Sequence, residues 1–335
     1  MGLAGGGWIA PFQVEGWRLI PETDVVAVCD RDLSRAQALA ARFNLPWAGQ
    51  DAERMMDDCC LDILDIATTP ESHKDITLAA VRRGLHVLCQ KPAAPNLADA
   101  EEMIRQAAAR GVVLYINEML RFCPWFRKIR ELLQAGLIGR PVYARFFCRA
   151  AGFLETGPER TMIYGFREYF KHQPRLIVME QTIHYFDVLR YLFGEPGSVY
   201  AVTGRVSPFV RGEDLITTVM KYAGMTAVIE DSWSAHGSER SGLEIEGLEG
   251  ALFLSHAKVL EHYSGSDGKV VRRWDFTGKS WPEWRPLVFA DLFADFLRLV
   301  AGGGDRTGQA RDNLKSLRLT LAAYESSESA VEVKL

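Results

Sequence analysis

The sequence has little of what marks a membrane protein, a nucleic-acid-binding protein or a secreted protein. None of its apolar runs approaches the roughly 20 residues of a membrane-spanning helix, and no signal peptide opens the chain. The formal net charge is only −4 with both signs interspersed, so no basic surface for nucleic acid or lipid is expected. These deficits favour a cytoplasmic protein that acts on a small molecule.

Cysteine is also scarce, and its spacing excludes two further classes of protein. The six cysteines form neither the CxxC pairs of redox proteins nor the clusters of structural zinc sites. Several of them lie in apolar runs, which indicates buried and reduced thiols. The chain also contains no internal repeat and no low-complexity linker.

What is present is enough apolar sequence for two domains, with 48% hydrophobic residues in a chain of 335. Up to residue 119, short β-type runs alternate with helical stretches, which predicts a parallel sheet with helices on both faces. From residue 120 to 335, runs of period two predict an open, mostly antiparallel sheet that helices cover. We therefore expect an α/β domain over 1–119 and a second, α+β domain over 120–335.

A glycine-rich stretch opens the first domain. Gly5-Gly6-Gly7-Trp8-Ile9-Ala10 fits the pattern G-x-G-x-x-G/A, in which glycines let the backbone approach a pyrophosphate at a helix amino terminus. The next β-type run ends in Asp30, where a carboxylate can bind a ribose 2′-hydroxyl. Because only Met1 to Ala4 precede the motif, either the first strand is short or the sequence starts downstream of its natural start. This context predicts a Rossmann domain that binds NAD.

The residues after the second β-type run bear on the choice between NAD and NADP. Asp30 repels a 2′-phosphate and therefore favours NAD. Arg31 stands next to it and can pair with that phosphate, so NADP is not excluded.

A lysine ends another buried run in the first domain. Val87-Leu88-Cys89 is typical of a parallel strand, and Pro92 stops it because proline cannot donate to a sheet and disfavours helix at the residue before it. Lys91 is thereby placed at the carboxyl end of a strand, where open α/β sheets bind ligands. Taken alone, the segment favours a surface lysine beside a proline, and only the rest of the chain favours a ligand-binding lysine. His73, after an earlier strand, fits a cofactor contact or a surface position.

The second domain contains a glutamate and a histidine four residues apart. Glu180 and His184 share one face if the helix has begun by Glu180, so the carboxylate can orient an imidazole that accepts a proton. A helix-capping glutamate and a core histidine explain this segment equally well. Asp187 adds one more possible metal ligand, but two carboxylates and one histidine are a weak set, and no metal is expected.

Together and in order, these motifs resemble the Gfo/Idh/MocA family of nicotinamide-dependent oxidoreductases, over nearly the whole chain. The matching pieces are Gly5-x-Gly7-x-x-Ala10, Asp30, Thr69-Pro70-Glu71-Ser72-His73, Gln90-Lys91-Pro92, Arg121-Phe122-x-Pro124 and Glu180-x-x-x-His184. Gln90 stands where the family has glutamate, and Glu180 where it commonly has aspartate; both departures are chemically mild. Arg175 to Val178 replaces a run that is often glycine-rich in the family, which leaves the substrate class more open than the reaction.

The resemblance implies hydride transfer between a nicotinamide and a hydroxyl or keto carbon of a sugar, cyclic polyol or related compound. It implies that Lys91, Glu180 and His184 are the catalytic set. The implied cofactor contacts are Gly5, Gly7, Trp8, Ile9, Asp30, Arg31, Thr68, Thr69, Pro70, His73, Gln90, Lys91 and Glu118. The expected substrate contacts are Arg121, Tyr164, Arg167 and His172; the last three lie in a loop whose aromatic and basic residues suit a sugar, although a surface loop of packed aromatics fits as well.

Two other functions stay open for such a chain. A bound NAD can serve a net non-redox reaction, such as glycoside cleavage through transient oxidation, and some relatives sense ligands without turnover. Lys91 and His184 argue against a dead site. The resemblance also implies a homodimer or homotetramer through the C-terminal sheet. Because the charges are balanced and no long apolar run is present, neither nucleic acid nor a membrane is expected as a partner.

Overall fold

The computed structural model describes residues 1–152, 168–236, 239–265, 268–278 and 281–335. These residues divide into two compact units. The first comprises Met1–Phe122 and Lys279–Leu317, and the second comprises Cys123–Gly278 and Arg318–Leu335. Each unit contains one sheet.

The elements of the described residues alternate between strand and helix in the first third of the chain and are mostly strands afterwards. The strands are β1 (Gly2–Ala4), β2 (Ala27–Cys29), β3 (Trp47–Gly49), β4 (Ile63–Ile66), β5 (His86–Gln90), β6 (Leu114–Asn117), β7 (Pro141–Arg149), β8 (Ser198–Gly204), β9 (Leu215–Tyr222), β10 (Met225–Ser232), β11 (Arg240–Gly247), β12 (Ala251–Leu254), β13 (Val259–Tyr263), β14 (Val270–Asp275) and β15 (Val333–Lys334). The helices are α1 (Ala10–Arg18), α2 (Leu33–Phe43), α3 (Ala52–Asp58), α4 (Pro70–Arg82), α5 (Leu97–Arg110), α6 (Pro124–Gln134), α7 (Glu168–His172), α8 (Ile183–Phe193), α9 (Trp281–Val300) and α10 (Gly308–Ser329).

The sheet of the first unit is parallel throughout, in the order β3-β2-β1-β4-β5-β6. The chain order reverses between β1 and β4, and open α/β sheets bind ligands outside the carboxyl ends of the strands at such a reversal. The predicted Rossmann sheet is confirmed, and β1 is short, with three residues.

Helix α9 completes the core of the first unit by packing on α1. Gly16 permits this approach, because a Cβ there would lie 2.8 Å from the Cβ of Phe289. Next to it, Trp17 stacks on Phe293 with ring centroids 4.1 Å apart. The indole N–H of Trp17 donates to the fully buried carboxyl of Asp65 at 2.8 Å, and burial raises the pKa of Asp65 to about 7. This helix therefore belongs to the first unit although it lies far away in sequence.

The edge of the same sheet is closed by a side chain of α10. The Gln309 amide accepts from the backbone N–H of Ile116 at 2.7 Å and donates to its carbonyl at 2.9 Å. The amide thus makes the two hydrogen bonds that a further strand would make with β6. This contact holds β6 at Ile116, the residue before the last residue of the strand, Asn117.

The sheet of the second unit has the order β14-β13-β12-β11-β7-β10-β9-β8-β15 among the described residues. Every neighbouring pair is antiparallel except β7 and β10, which run parallel with Phe146 opposite Ile229. The predicted mostly antiparallel sheet is confirmed. One face is covered by helices: Phe146 stacks on Tyr185 of α8 at 4.1 Å and lies 6.0 Å from Phe126 of α6.

Two absences apply to the described part of the chain alone. No helix there is long and apolar enough to span a membrane. No three His, Cys, Asp or Glu side chains there are grouped so that they can hold a metal ion.

Candidate functional site

The turn between β1 and α1 contains two glycines, Gly5 and Gly7, whose surroundings differ. Gly5 has a φ of +106°, and a Cβ there would lie 2.5 Å from the carbonyl oxygen of Ala67, so only glycine fits. At Gly7 an added Cβ would meet no described atom within 4 Å. The turn therefore leaves open space at Gly7, close to the amino terminus of α1, where backbone N–H groups can receive an anion.

The carboxylate of Asp30 holds this turn to the end of β2. One oxygen accepts from the backbone N–H of Gly6 at 2.8 Å, and the other accepts from the N–H of Asp32 at 2.9 Å. Each carboxylate oxygen has a second lone pair, so the group can still accept from a ribose hydroxyl. Arg31 is exposed beside it.

Trp8 and Ile9 lead from this turn into α1 and are partly exposed. The Trp8 ring lies 5.5 Å from the ring of Phe12, and the Arg285 guanidinium lies 5.0 Å from the Trp8 ring centroid. This cation–π arrangement holds the outer face of the turn within the first unit.

Of the predicted residues after β4, Thr68 and Thr69 lie in the loop, and Pro70 and His73 lie in the first turn of α4. His73 is fully buried, with Nδ1 3.0 Å from the carbonyl oxygen of Pro92 and Nε2 3.1 Å from that of Thr68. Burial lowers the pKa of His73. The ring thus joins the loop after β4 to the loop after β5, which bears Lys91.

Three polar residues end the neighbouring strands β5 and β6. Gln90 lies opposite Asn117 in the parallel register, and Lys91 follows Gln90 as a partly exposed residue. The Nε2 of Gln90 and both amide atoms of Asn117 are buried, and no described residue bonds to them. A buried polar group left unsatisfied costs about 1–3 kcal/mol, so this edge suits a polar ligand or ordered water.

NAD fits the groups that the first unit presents. The open space at Gly7, the free lone pairs of Asp30 and the unsatisfied amides of Gln90 and Asn117 match a pyrophosphate, a ribose and further polar atoms. Asn117 is absent from the sequence-based prediction. Its signal was its position directly after an apolar run, next to the predicted Glu118.

Glu118 and Arg121 follow β6 in the first unit. Glu118 is buried, and Arg121 forms an ion pair with Asp312 of α10, with Nη1 2.7 Å from Oδ2. The guanidinium is therefore already held by a carboxylate. Of the other predicted substrate contacts, His172 is exposed at the end of α7, whereas Tyr164 and Arg167 lie outside the described residues.

Glu180 lies in a π-helical turn, Val178–Thr182, that runs directly into α8. The helix has therefore begun by Glu180, as the prediction required, but its turn there is π rather than α, so the four-residue spacing alone does not place Glu180 and His184 on one face. Both are partly exposed on a segment whose other side chains are mostly buried. Asp187, in contrast, is fully buried and lies 3.5 Å from the Arg190 guanidinium, so its role is structural.

Known proteins resemble both halves of the chain. Residues 1–118 match the oxidoreductase family with an NAD-binding Rossmann fold, and residues 126–253 match the GFO/IDH/MocA C-terminal domain. A D-apiose dehydrogenase of Paraburkholderia graminis is 30% identical over 99% of this chain and 88% of its own length. A myo-inositol 2-dehydrogenase of Thermotoga maritima is 24% identical over 100% and 98%. The crystal structure of an oxidoreductase from Agrobacterium radiobacter, in complex with NAD⁺, L-tartaric acid and magnesium, is 28% identical and superposes with a TM-score of 0.86 over 99% of this chain and 97% of that one. The chain therefore belongs to the GFO/IDH/MocA family of oxidoreductases, with an NAD-binding Rossmann fold in its N-terminal part.

Proposed function

We propose that the protein is an NAD-dependent dehydrogenase that interconverts a hydroxyl and a keto carbon of a small sugar or cyclic polyol. The observation that carries the proposal is the pair Glu180 and His184, which are partly exposed on an otherwise largely buried segment. Relatives named for D-apiose, myo-inositol and 1,5-anhydro-D-fructose support this substrate class.

Three residues have separate tasks in this reaction. NAD, when bound, would supply the acceptor for the hydride that leaves the carbinol carbon. His184 accepts the hydroxyl proton as the oxygen becomes a carbonyl, and Lys91 donates a hydrogen bond to that oxygen and stabilises its developing charge. Glu180 orients the Lys91 ammonium and the His184 imidazole. In the reductive direction His184 returns the proton.

The cofactor contacts proposed for the first unit fall into three groups. Gly5, Gly7, Trp8 and Ile9 present the turn and the start of α1 to the pyrophosphate. Asp30 and Arg31 face the 2′ position of the adenosine ribose, and NAD is the proposed preference. The remaining positions, after β4, β5 and β6, are Thr68, Thr69, Pro70, His73, Gln90, Lys91 and Glu118.

We propose Arg121, Tyr164, Arg167 and His172 as the substrate contacts. The ion pair with Asp312 fixes the orientation in which the Arg121 guanidinium can bind substrate hydroxyl groups.

The substrate class is tested by a cofactor-reduction screen over aldoses including D-apiose, inositols, anhydro-sugars and amino sugars, followed at 340 nm. At least one sugar or polyol should give sustained NADH formation, and His184→Ala should lower its rate by about 10²-fold. His256→Ala is the matched control, because His256 is an exposed histidine that bonds to Ser241. Turnover confined to compounds without a sugar or polyol carbinol would contradict the proposal.

We also propose a homo-oligomer formed through the sheet of the second unit. Along β7 buried residues alternate with partly exposed ones, and Arg145 on the latter face pairs with Glu230 at 2.7 Å. A second copy can cover this face, and light scattering after gel filtration measures its presence.

We further propose a cytoplasmic location, with which the six free thiols are consistent. Cell fractionation tests this location.

A further inference from the structure

The turn that carries Glu180 has an unusual backbone. Val178–Thr182 is π-helical, with the N–H of Ile183 bonded to the carbonyl of Val178, five residues back. Such turns are rare inside helices and occur often at functional sites. If the π turn became an α turn, the backbone hydrogen bonds would shift by one residue. Because an α-helix has 3.6 residues per turn, this shift would rotate the preceding segment by about 100° relative to α8. The π turn therefore sets how Glu180 is oriented relative to His184.

The amino end of this segment is held by Glu213. Its Oε1 accepts from the backbone N–H groups of Leu176 at 2.8 Å and Val178 at 3.3 Å, and from the hydroxyl of Tyr324 at 2.6 Å. The first N–H groups of a helix have no partner within it, so this carboxylate acts as the cap. The cap fixes where the helix starts but not whether the next turn is α or π.

The turn itself is held by Asp231 of β10, which is 2% exposed. Its Oδ1 accepts from the Gln181 side-chain amide at 2.7 Å, and its Oδ2 accepts from the Thr182 hydroxyl at 2.8 Å. The Gln181 oxygen accepts in turn from the indole N–H of Trp233 at 2.8 Å. The residues directly after Glu180 are thus bonded to one buried carboxylate.

The direction of these hydrogen bonds is fixed by Trp233. An indole N–H can only donate, so the Gln181 oxygen must face Trp233 and its NH₂ must face residue 231. Residue 231 therefore has to accept from Gln181. The network is a one-way chain from Trp233 through Gln181 to Asp231.

We propose that the Asp231–Gln181 pair is the positioning element that keeps this π turn in register and thereby aims Glu180 and His184 at the substrate. This inference rests on the proposed catalytic role of those two residues. Neither Asp231 nor Gln181 is assigned a contact with substrate or cofactor; both act through the backbone of the turn.

Exchanging the amide and carboxyl groups of Gln181 and Asp231 tests the pair. Gln181→Glu places two carboxyl groups against each other where a hydrogen bond of 2.7 Å now lies. Because burial raises the pKa of Asp231 to about 7, the variants are compared well above that pH, where both groups are charged and repel each other, so the single substitution should displace the turn. Combining it with Asp231→Asn restores a matched chain: Trp233 and the new amide both donate to the new carboxylate, and Thr182 donates to the amide oxygen. Asp231→Asn alone should have an intermediate effect, because the Thr182 hydroxyl can turn to the carbonyl of Ile177, 3.3 Å away.

We expect Gln181→Glu to lower kcat by about tenfold or more, with KM for the substrate and Kd for NADH each changed less than about threefold. The double variant should recover most of kcat. A double variant no faster than the single one, with both folded and binding NADH, would overturn the proposal, as would a single variant of full activity. If Gln181→Glu does not fold, Gln181→Met replaces it, since it removes both hydrogen bonds without adding charge; full kcat there would also overturn the proposal.

A readout without turnover separates this inference from the dehydrogenase proposal. In protein labelled at its seven histidines, the ring resonance of His184, assigned by its loss in His184→Ala, should move in Gln181→Glu and return in the double variant. If the wild-type protein oxidises no substrate but the resonance behaves in this way, the proposed function fails and the positioning role stands. An unmoved resonance in Gln181→Glu refutes the positioning role.

Discussion

The two glycines of the turn after β1 predict opposite outcomes for the same substitution. Alanine at Gly5 must adopt a φ of +106° and place its Cβ 2.5 Å from the Ala67 carbonyl oxygen. Strain of this backbone kind costs about 1–3 kcal/mol, before any cost of moving the Ala67 backbone. A loss of about 1 kcal/mol in the free energy of unfolding lowers Tm by roughly 2–4 °C in a domain of this size. We therefore expect Gly5→Ala to lower Tm by several degrees.

Alanine at Gly7 meets neither problem. Its φ is not positive, and no described atom lies within 4 Å of the added Cβ, so the free energy of unfolding should change by less than about 0.5 kcal/mol. The methyl group does occupy the space into which we place the pyrophosphate. We therefore expect Kd for NADH to rise about tenfold or more, which is about 1.4 kcal/mol of binding free energy.

Gly84→Ala is the matched control for backbone strain, because Gly84 has a φ of +77° and no described atom within 4 Å of an added Cβ. It should lower Tm modestly and leave Kd for NADH unchanged. Thermal unfolding and NADH fluorescence titration measure both quantities for all three variants. A Gly7→Ala protein that binds NADH with the wild-type Kd would refute the placement of the pyrophosphate. A Gly5→Ala protein as stable as the wild type would refute the description of the turn.

Three further predictions concern catalysis, pH and cofactor choice. Lys91→Ala and His184→Ala should each lower kcat by about 10²-fold while the protein still folds, and near-full turnover in either variant would remove it from the catalytic set. Because burial raises the pKa of Asp65 to about 7, the folded protein keeps a proton that the unfolded chain releases near pH 4. The contribution of Asp65 to the free energy of unfolding should therefore fall as pH rises from about 4 to 7, and Asp65→Asn should remove that contribution; denaturant titrations of both proteins at several pH values measure the difference. Asp30 should make Kd for NADH about tenfold lower than for NADPH, and tighter binding of NADPH would contradict that assignment.

Several parts of the fold were accessible from the sequence because they depend on local chemistry. Glycine spacing and strand-end residues identified the first sheet: Gly5, Asp30 and Lys91 each follow a strand of the parallel sheet, as their motifs required. A three-residue strand such as β3 was not predicted, because so short a run shows no measurable periodicity.

Pairing across large sequence separations was not accessible in the same way. Apolar residues of α9, such as Phe289 and Phe293, indicate burial but not that their partner is Trp17. Likewise, period two identifies the buried face of β7 and β10 but not that they lie side by side and parallel. Such pairing is decided by the packing of the whole unit.

The candidate site shows the same division. The residue types and spacing of Glu180 and His184 predicted a shared helical face, whereas the π turn that contains Glu180 has no local signal: its Gln181 bonds to Asp231, some fifty residues away in sequence. Asn117 was missed because an asparagine after a strand has no motif of its own; only its buried, unsatisfied amide distinguishes it.

The central claim is net hydride transfer from a sugar or polyol to NAD⁺, and its most direct measurement is the ratio of NADH formed to carbonyl product formed. We expect one NADH per product molecule and many turnovers per enzyme, with the rates of NADH and product formation both lowered by about 10²-fold in His184→Ala. Product formed with no net NADH would indicate a transient oxidation within a non-redox reaction and would contradict the account.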